Sequence, residues 1–161
     1  MTADAALPVA GPRYAFEDFS VGFVIPCGPR TVTADEIIAF ARQFDPQPFH
    51  LSEEAGRASI FGSLIASGWH TASMVMRMGC DAYLLDSTSQ GSPGIDQLRW
   101  IKPTRAGDTI RADLHTIEVR PSRSKPDRGV VVSEWRVYNQ HDELIMTMRG
   151  MGLFLRRTVL A

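Results

Sequence analysis

The chain has 161 residues, 44% of them apolar, which is enough for one ordinary domain with a buried core and leaves no room for an independent second one. Seventeen Lys and Arg stand against eighteen Asp and Glu, a formal charge of -1, so the basic excess of a nucleic-acid surface is missing and no nucleic-acid partner is expected. Cys27 and Cys80 fit neither a close metal-ligand pair nor a disulfide framework, and free thiols in a reducing compartment are the expectation.

The opening "MTADAALPVAGP" has no basic region followed by an apolar run, and reads as a loose tail rather than a secretory signal. "SVGFVIPCGPRTVT" offers short extended pieces broken by glycine and proline. A helix follows, because Thr33 and Glu36 have capping-box spacing and Ile37, Phe40, Ala41 and Phe44 recur at helical intervals. It must stop at Asp45, since Pro46 disfavours helical backbone in the residue before it. Ser52, Glu53 and Glu54 read as the cap and acidic first turn of a short second helix, with His50 just ahead of it.

"FGSLIASG" is a small-residue connection into "WHTASMVMRMGCDAYLL", where Trp69, Ala72, Met74, Val75, Met76, Met78, Ala82 and Leu84 leave little polar face. Such a helix is expected to be buried nearly all round, with its methionines as core filling. Arg77 and Asp81 interrupt this apolar stretch, which is shorter than the ~20 residues of a membrane span. A soluble, cytoplasmic protein with no membrane partner is therefore expected.

The remainder reads as four strands in sequence: "GIDQLRWIKP", "GDTIRADLHTIEVR" with Ile110, Ala112 and Leu114 on one face, "GVVVSEWRVYN", and "ELIMTMRGMGLFLRR" after the polar turn "NQHD". "PSRSKPDRG" has the prolines, glycine and charges of an exposed hairpin loop. A long meander after one buried helix predicts an α+β fold whose antiparallel sheet curls around that helix.

Two stretches could carry chemistry. In "FDPQPFH" an extended chain would hold Asp45 and His50 roughly 17 Å apart, at ~3.4 Å per residue, so they meet only if the loop curls. Pro46 and Pro48 stiffen that loop and could aim both side chains at one water, a reasonable acid-base pair. The plainer reading, a turn with a capping aspartate and a histidine starting a helix, stands beside it.

In "ASGWHT" the buried helix is expected to begin near Gly68 or Trp69, where the first amides lack intrahelical partners; the Gly68 amide could hold a carbonyl oxygen that gains charge. A tight turn with close packing is the alternative. His70 reads as a core residue, and His115 and His141 as strand and turn surface. Asp45, His50 and His70 lack the spacing of a local metal-ligand pair, so no metal is expected. G-x-S-x-G and G-x-G-x-x-G patterns do not occur.

Taken together, "FARQFDPQPFHLSEEA", "FGSLIASGWHT" and "LRWIKPTRAGDTI" resemble the MaoC-like dehydratases, the hot-dog-fold family that includes the (R)-specific enoyl-CoA hydratases, over about Thr33 to Phe154. The resemblance implies one MaoC-like domain over the whole chain: a long central helix wrapped by an antiparallel sheet, paired into a homodimer or higher homo-oligomer with the acyl thioester near the subunit interface. It implies reversible hydration of a trans-2-enoyl-CoA in fatty acid metabolism, without a cofactor. Asp45 would be the general base, His50 would orient the water and exchange protons with it, and the Gly68 amide would hold the thioester carbonyl, with Gln47 and Ser67 positioning substrate or water. The chain departs from the stricter hydratase pattern, which has Gly before the aspartate and Asn two residues after it; Phe44 and Gln47 stand there. A thioesterase on the same fold and a non-catalytic acyl-thioester binder are the competing readings.

Overall fold

The computed structural model describes residues 11–157, so nearly all of the expected N-terminal tail lies outside the described residues. Helix α1 (Ala34–Phe44) begins with the reciprocal cap that its sequence predicts. Thr33 Oγ1 accepts the Glu36 N–H at 3.2 Å, and the Glu36 carboxylate accepts the Thr33 N–H at 2.9 Å. The helix ends at Phe44, and Asp45, at φ -152° and ψ 68°, has already left helical backbone before Pro46.

Where one short helix is expected from Ser52, there are two. A single turn, α2 (Pro48–Leu51), has Pro48 in its first position, where the missing N–H costs nothing. Helix α3 (Glu53–Ala58) then starts from Ser52, whose hydroxyl accepts the Ala55 N–H at 3.1 Å. His50 therefore sits inside a helical turn, not in the lead-in to one. Helix α4 (Gly68–Ala82) opens at Gly68, with Ser67 as its cap.

Five strands, β1 (Val24–Thr31), β2 (Ile95–Trp100), β3 (Thr109–Pro121), β4 (Arg128–Tyr138) and β5 (Leu144–Leu155), form one antiparallel sheet in the order β1-β3-β4-β5-β2. The C-terminal half is thus not a simple meander. The first of its four strands, β2, leaves the second and pairs with the last, while the extended N-terminal piece becomes β1 beside β3. The segment after β2 cannot fold back as a hairpin because its backbone is engaged elsewhere. Ile101 N–H donates to the Ile145 carbonyl at 2.8 Å, and the Thr104 carbonyl accepts the Ala66 N–H at 2.8 Å.

The core lies between α4 and the sheet. Ile110, Ala112 and Leu114 share the inward face of β3 as their alternation predicts, and meet Met74, Val75 and Met78 of α4. The expectation that α4 is buried all round fails. Trp69 is 59% and Met76 43% exposed, so Met74 and Met78 fill the core while Met76 does not. The cause is layering: β1 and β3 cover one side of α4, α1 packs only at its start through Phe40 and His70, and among the described residues the Met76 face is left open. Strand β2 is exposed along most of its length as well, with only β5 beside it.

Gly79 marks the closest approach of α4 to the sheet, since a Cβ there would overlap the Trp135 indole. Helix propensity alone favours Gly79→Ala by up to ~1 kcal/mol. Overpacking against a ring held between β3 and β5 costs ~1–3 kcal/mol and outweighs it. Urea denaturation of Gly79→Ala is expected to give a lower midpoint than wild type; a higher one would mean that the ring moves aside freely.

Candidate active site

The loop after α1 curls through its own backbone. Gln47 N–H donates to the Asp45 carbonyl at 2.8 Å, and His50 N–H to the Gln47 carbonyl at 2.9 Å. This brings Asp45 Oδ2 to 3.4 Å from His50 Nε2. The two side chains meet, and the features of the plainer reading are present as well: Asp45 ends α1 and His50 lies in the turn of α2. His50 is buried and only 18% of the Asp45 side chain is exposed, so the pair sits at the wall of the protein with one side open.

Each partner is fixed from behind. His50 Nδ1 lies 2.7 Å from the Ile65 carbonyl oxygen. A carbonyl can only accept, so Nδ1 carries the hydrogen and Nε2 turns toward Asp45. The Asp45 carboxylate accepts the Ser67 hydroxyl on Oδ2 at 2.6 Å and the Gln47 side-chain amide on Oδ1 at 2.7 Å. Burial pushes the Asp45 carboxyl up. The hydrogen bonds from Ser67 and Gln47, with the His50 charge, outweigh it and hold the group below the usual carboxylate range. Asp45 is therefore ionised at neutral pH and only weakly basic.

Ser67 is fully enclosed, and its oxygen also accepts the Trp69 N–H at 3.3 Å as the cap of α4. Its hydroxyl positions Asp45 and the helix rather than reaching open solvent. Gln47 is exposed and spends its amide on the same carboxylate.

Gly68 sits beside Ser67, and among the described residues its N–H has no hydrogen-bond partner. The packing reading of this glycine holds too, because a Cβ would overlap the Trp100 indole. Trp100 Nε1 donates to the Gly68 carbonyl at 2.9 Å. Nothing in the local sequence announces this contact across the fold. A cleft of about 280 Å³ joins these groups, lined by His50 and Gly68 with Phe49, Phe61, Ile65 and Trp100 among its apolar walls. A larger cavity, about 430 Å³, opens between the end of α4 and the sheet against Tyr83, Trp135, Met148 and Phe154, and neither His50 nor Gly68 lines it. The smaller cleft, lined by His50 and Gly68 with Asp45 behind His50, is the candidate site.

His70 does not join them. Its ring stacks on Phe40 at 4.8 Å, its Nδ1 is buried without a partner, and burial, opposed by Glu36 and helped by Arg30, pushes its pKa down. Among the described residues, no three His, Cys, Asp or Glu side chains gather as a metal site. His115 is half-buried in β3 and His141 is exposed in a turn. Cys27 and Cys80 are both free, and burial followed by the Asp113 charge pushes the Cys27 thiol up to about 11, too high for a nucleophile at neutral pH.

Residues 25–136 match the family described as MaoC like domain. The chain is 38% identical to a solved MaoC-like dehydratase from Rhodospirillum rubrum, with a TM-score of 0.80 over 89% of this chain and 97% of that one. It is 31% identical to a monoamine oxidase regulatory protein from Archaeoglobus fulgidus, with a TM-score of 0.81 over 93% of this chain and 99% of the other. An (R)-hydratase from A. caviae involved in PHA biosynthesis shares the fold at 23% identity and a TM-score of 0.71, over 87% of this chain and 99% of that one. The hot-dog fold expected from the sequence is therefore present: a five-stranded antiparallel sheet against one long helix.

The carboxylate's setting gives a test that needs no substrate. Ser67→Ala removes a donor to the ionised form and raises the Asp45 titration toward the ordinary carboxylate range, with a smaller rise for Gln47→Ala. Because the folded pKa is depressed, ionised Asp45 stabilises the fold above its unfolded pKa, and that contribution is lost as pH falls through the folded value. In Ser67→Ala the loss still begins at the unfolded pKa but is smaller and is complete at a higher pH. Carboxyl-carbon NMR across an acid titration reads the shift directly; an unmoved Asp45 curve would show that Ser67 does not hold the charge.

Proposed function

Because the chain belongs to the MaoC-like dehydratase family, we propose that it adds water reversibly across the double bond of a trans-2-enoyl-CoA, or removes it from the matching 3-hydroxyacyl-CoA. The observation that carries this reading is the Asp45–His50 pair, 3.4 Å apart, whose His50 lines a cleft that also reaches Gly68.

The separation is too long for a well-formed hydrogen bond, so both atoms keep capacity for a third group. In the form whose ring carries a hydrogen on Nδ1 alone, His50 offers a lone pair at Nε2, and ionised Asp45 offers another at Oδ2. A water donating one hydrogen to each turns its own lone pairs toward the cleft, where the alkene carbon Cβ would lie. As its oxygen attacks Cβ, the alkene electrons move toward Cα and the thioester oxygen, and the water proton passes to the Asp45–His50 pair. The free Gly68 amide, at the positive end of α4, stabilises the charge on that oxygen. A carboxylic acid held below the usual range surrenders its proton readily, so the pair returns it to Cα on the same face, giving syn addition. No bond to enzyme forms, and water is the sole co-reactant.

Gln47 keeps one feature of the asparagine of the stricter pattern, a side-chain amide within reach of the site, and spends it on Asp45. Phe44 is 67% exposed and packs against Phe40 with the rings tilted at 49°, outside the cleft lining. Neither departure removes a group that the reaction needs. The chain works as a homodimer, supported by the exposed edge strand β2 and the half-exposed Trp69, Met76, Ile95 and Trp100 around it. Two free thiols favour a reducing, cytoplasmic setting.

With short and medium enoyl-CoA esters, loss of the conjugated thioester absorbance is expected for wild type. Asp45→Asn and His50→Ala should each lower kcat/KM at least ~100-fold, the usual worth of a positioned acid-base group. The acid limb of the wild-type pH profile should fall below the ordinary carboxylate range. A thiol assay on the same samples decides against the alternative, since release of free CoA without hydration would make the protein a thioesterase. Sedimentation velocity at micromolar concentration should give a dimer; a monomer at that concentration would contradict the assembly.

A further inference from the structure

Gly68 is an unusual residue to ask for precision. It has no side chain to anchor it, and glycine crosses backbone conformations at less cost than any other residue. An amide that must hold a developing oxyanion gains its effect from being fixed before charge appears. The helix holds the Ser67 side of this peptide, since Thr71 N–H donates to the Ser67 carbonyl at 3.0 Å, and a contact from outside the helix can hold the Gly68 side.

Trp100 touches Gly68 in two ways. Its indole N–H donates to the Gly68 carbonyl at 2.9 Å, and its ring occupies the volume where a Cβ would project. The ring is held in turn by Trp69, edge to face at 5.3 Å, and it forms part of the cleft wall shared with His50. The contact joins β2, at one edge of the sheet, to the start of the central helix. Cleft wall, hydrogen bond and ring packing all converge on Gly68: the ring lies where its Cβ would be, and the bond holds its carbonyl, one peptide unit after the N–H that would hold the thioester.

We propose that Trp100 is a positioning residue for the reaction: it fixes Gly68 so that its N–H meets the thioester carbonyl, while the ring closes the cleft beside that oxygen. This rests on the thioester reading of the same site. Trp100 itself neither gives nor takes a proton. Its loss leaves the Asp45–His50 pair in place and lets the carbonyl-binding amide wander. The effect belongs in kcat, because the amide's contribution grows as charge develops, and much less in KM.

The test combines kinetics with amide NMR of the full chain. Butyryl-CoA, a saturated thioester that cannot be hydrated, is titrated into wild type, Trp100→Phe and Trp100→Ala, and the Gly68 amide signal is followed. Enoyl-CoA turnover is measured on the same proteins. In wild type, butyryl-CoA should move the Gly68 proton downfield. In Trp100→Ala that shift should vanish and kcat fall about 100-fold, the scale of losing one oxyanion donor, with KM within about threefold and the acid limb of the pH profile unmoved. Trp100→Phe keeps the packing without the N–H and should lie between. Wild-type turnover without any Gly68 response, or an undiminished Gly68 shift and kcat in Trp100→Ala, overturns the role of Trp100. A Gly68 shift that depends on Trp100 in a protein that hydrates no enoyl-CoA supports the positioning role and overturns the proposed reaction instead. A clean Gly68→Ala/Trp100→Ala pair adds a check: the Ala side chain at 68 should be better tolerated once the indole is gone.

Discussion

One hydroxyl group belongs to the fold and to the site at once. Ser67 Oγ accepts the Trp69 N–H that opens α4 and donates to Asp45 Oδ2 at 2.6 Å. As a helix cap it is worth about 1 kcal/mol, and as a hydrogen bond to a charged group about 1.5–3 kcal/mol. The two prolines of the loop each contribute about 0.4–1 kcal/mol by restricting the unfolded chain. The anchor outweighs either stiffener taken singly. The Asp45 loop holds its shape chiefly because it is tied to α4, whose inner face, with Met74 and Val75 in the core, can hardly shift.

The imidazole is fixed by the same segment. Ile65 N–H donates to the Phe49 carbonyl at 3.3 Å, and the Ile65 carbonyl takes His50 Nδ1–H at 2.7 Å. Residues 65–67 therefore hold both members of the pair, one through its backbone and one through a hydroxyl. The electrostatic result is asymmetric. Donors gathered on Asp45 make it a charge that stays, while the ring opposite keeps its outward nitrogen free. Such a pair passes a proton along better than it stores one, which suits an addition whose proton must return to the neighbouring carbon.

What could be read from the sequence follows the range of the interaction. The Thr33–Glu36 box, the stop before Pro46, the Ser52 cap and the start at Gly68 each depend on residues within a turn, and each appears where the chain predicts it. The encounter of Asp45 with His50 could not be read from their spacing, because Ser67 and Ile65 enforce it from farther along the chain; only the family resemblance pointed to it. The pairing of β2 with β5 is equally nonlocal, decided by where the Ile101–Asp108 segment finds its hydrogen bonds. Met76 was misread for a related reason. An apolar helix position is buried only if something covers it, and the sheet covers one side of α4. Trp100 left a faint clue, since an indole N–H in a packed setting needs an acceptor, but no rule of spacing selects the Gly68 carbonyl.

The position of Trp100 ties chemistry to assembly. It stands on the strand with one unpaired edge, and 47% of its surface is still open to solvent. Covering the rest of an indole, on the order of 100 Å² at ~25 cal/mol per Å², is worth roughly 2–3 kcal/mol. That is comparable to the hydrogen bond and packing that hold it against Gly68. A second chain laid along β2 would therefore deepen the well in which the indole sits, and through it narrow the freedom of the first amide of α4. In a lone chain Trp69 props the ring from one side, and Trp69 is itself 59% exposed. The reactive pair needs no such help, being enclosed by residues 65–67 of its own chain. On the proposed reading, dissociation of a dimer would thus leave Asp45 and His50 in place and loosen the Gly68 end of the site first.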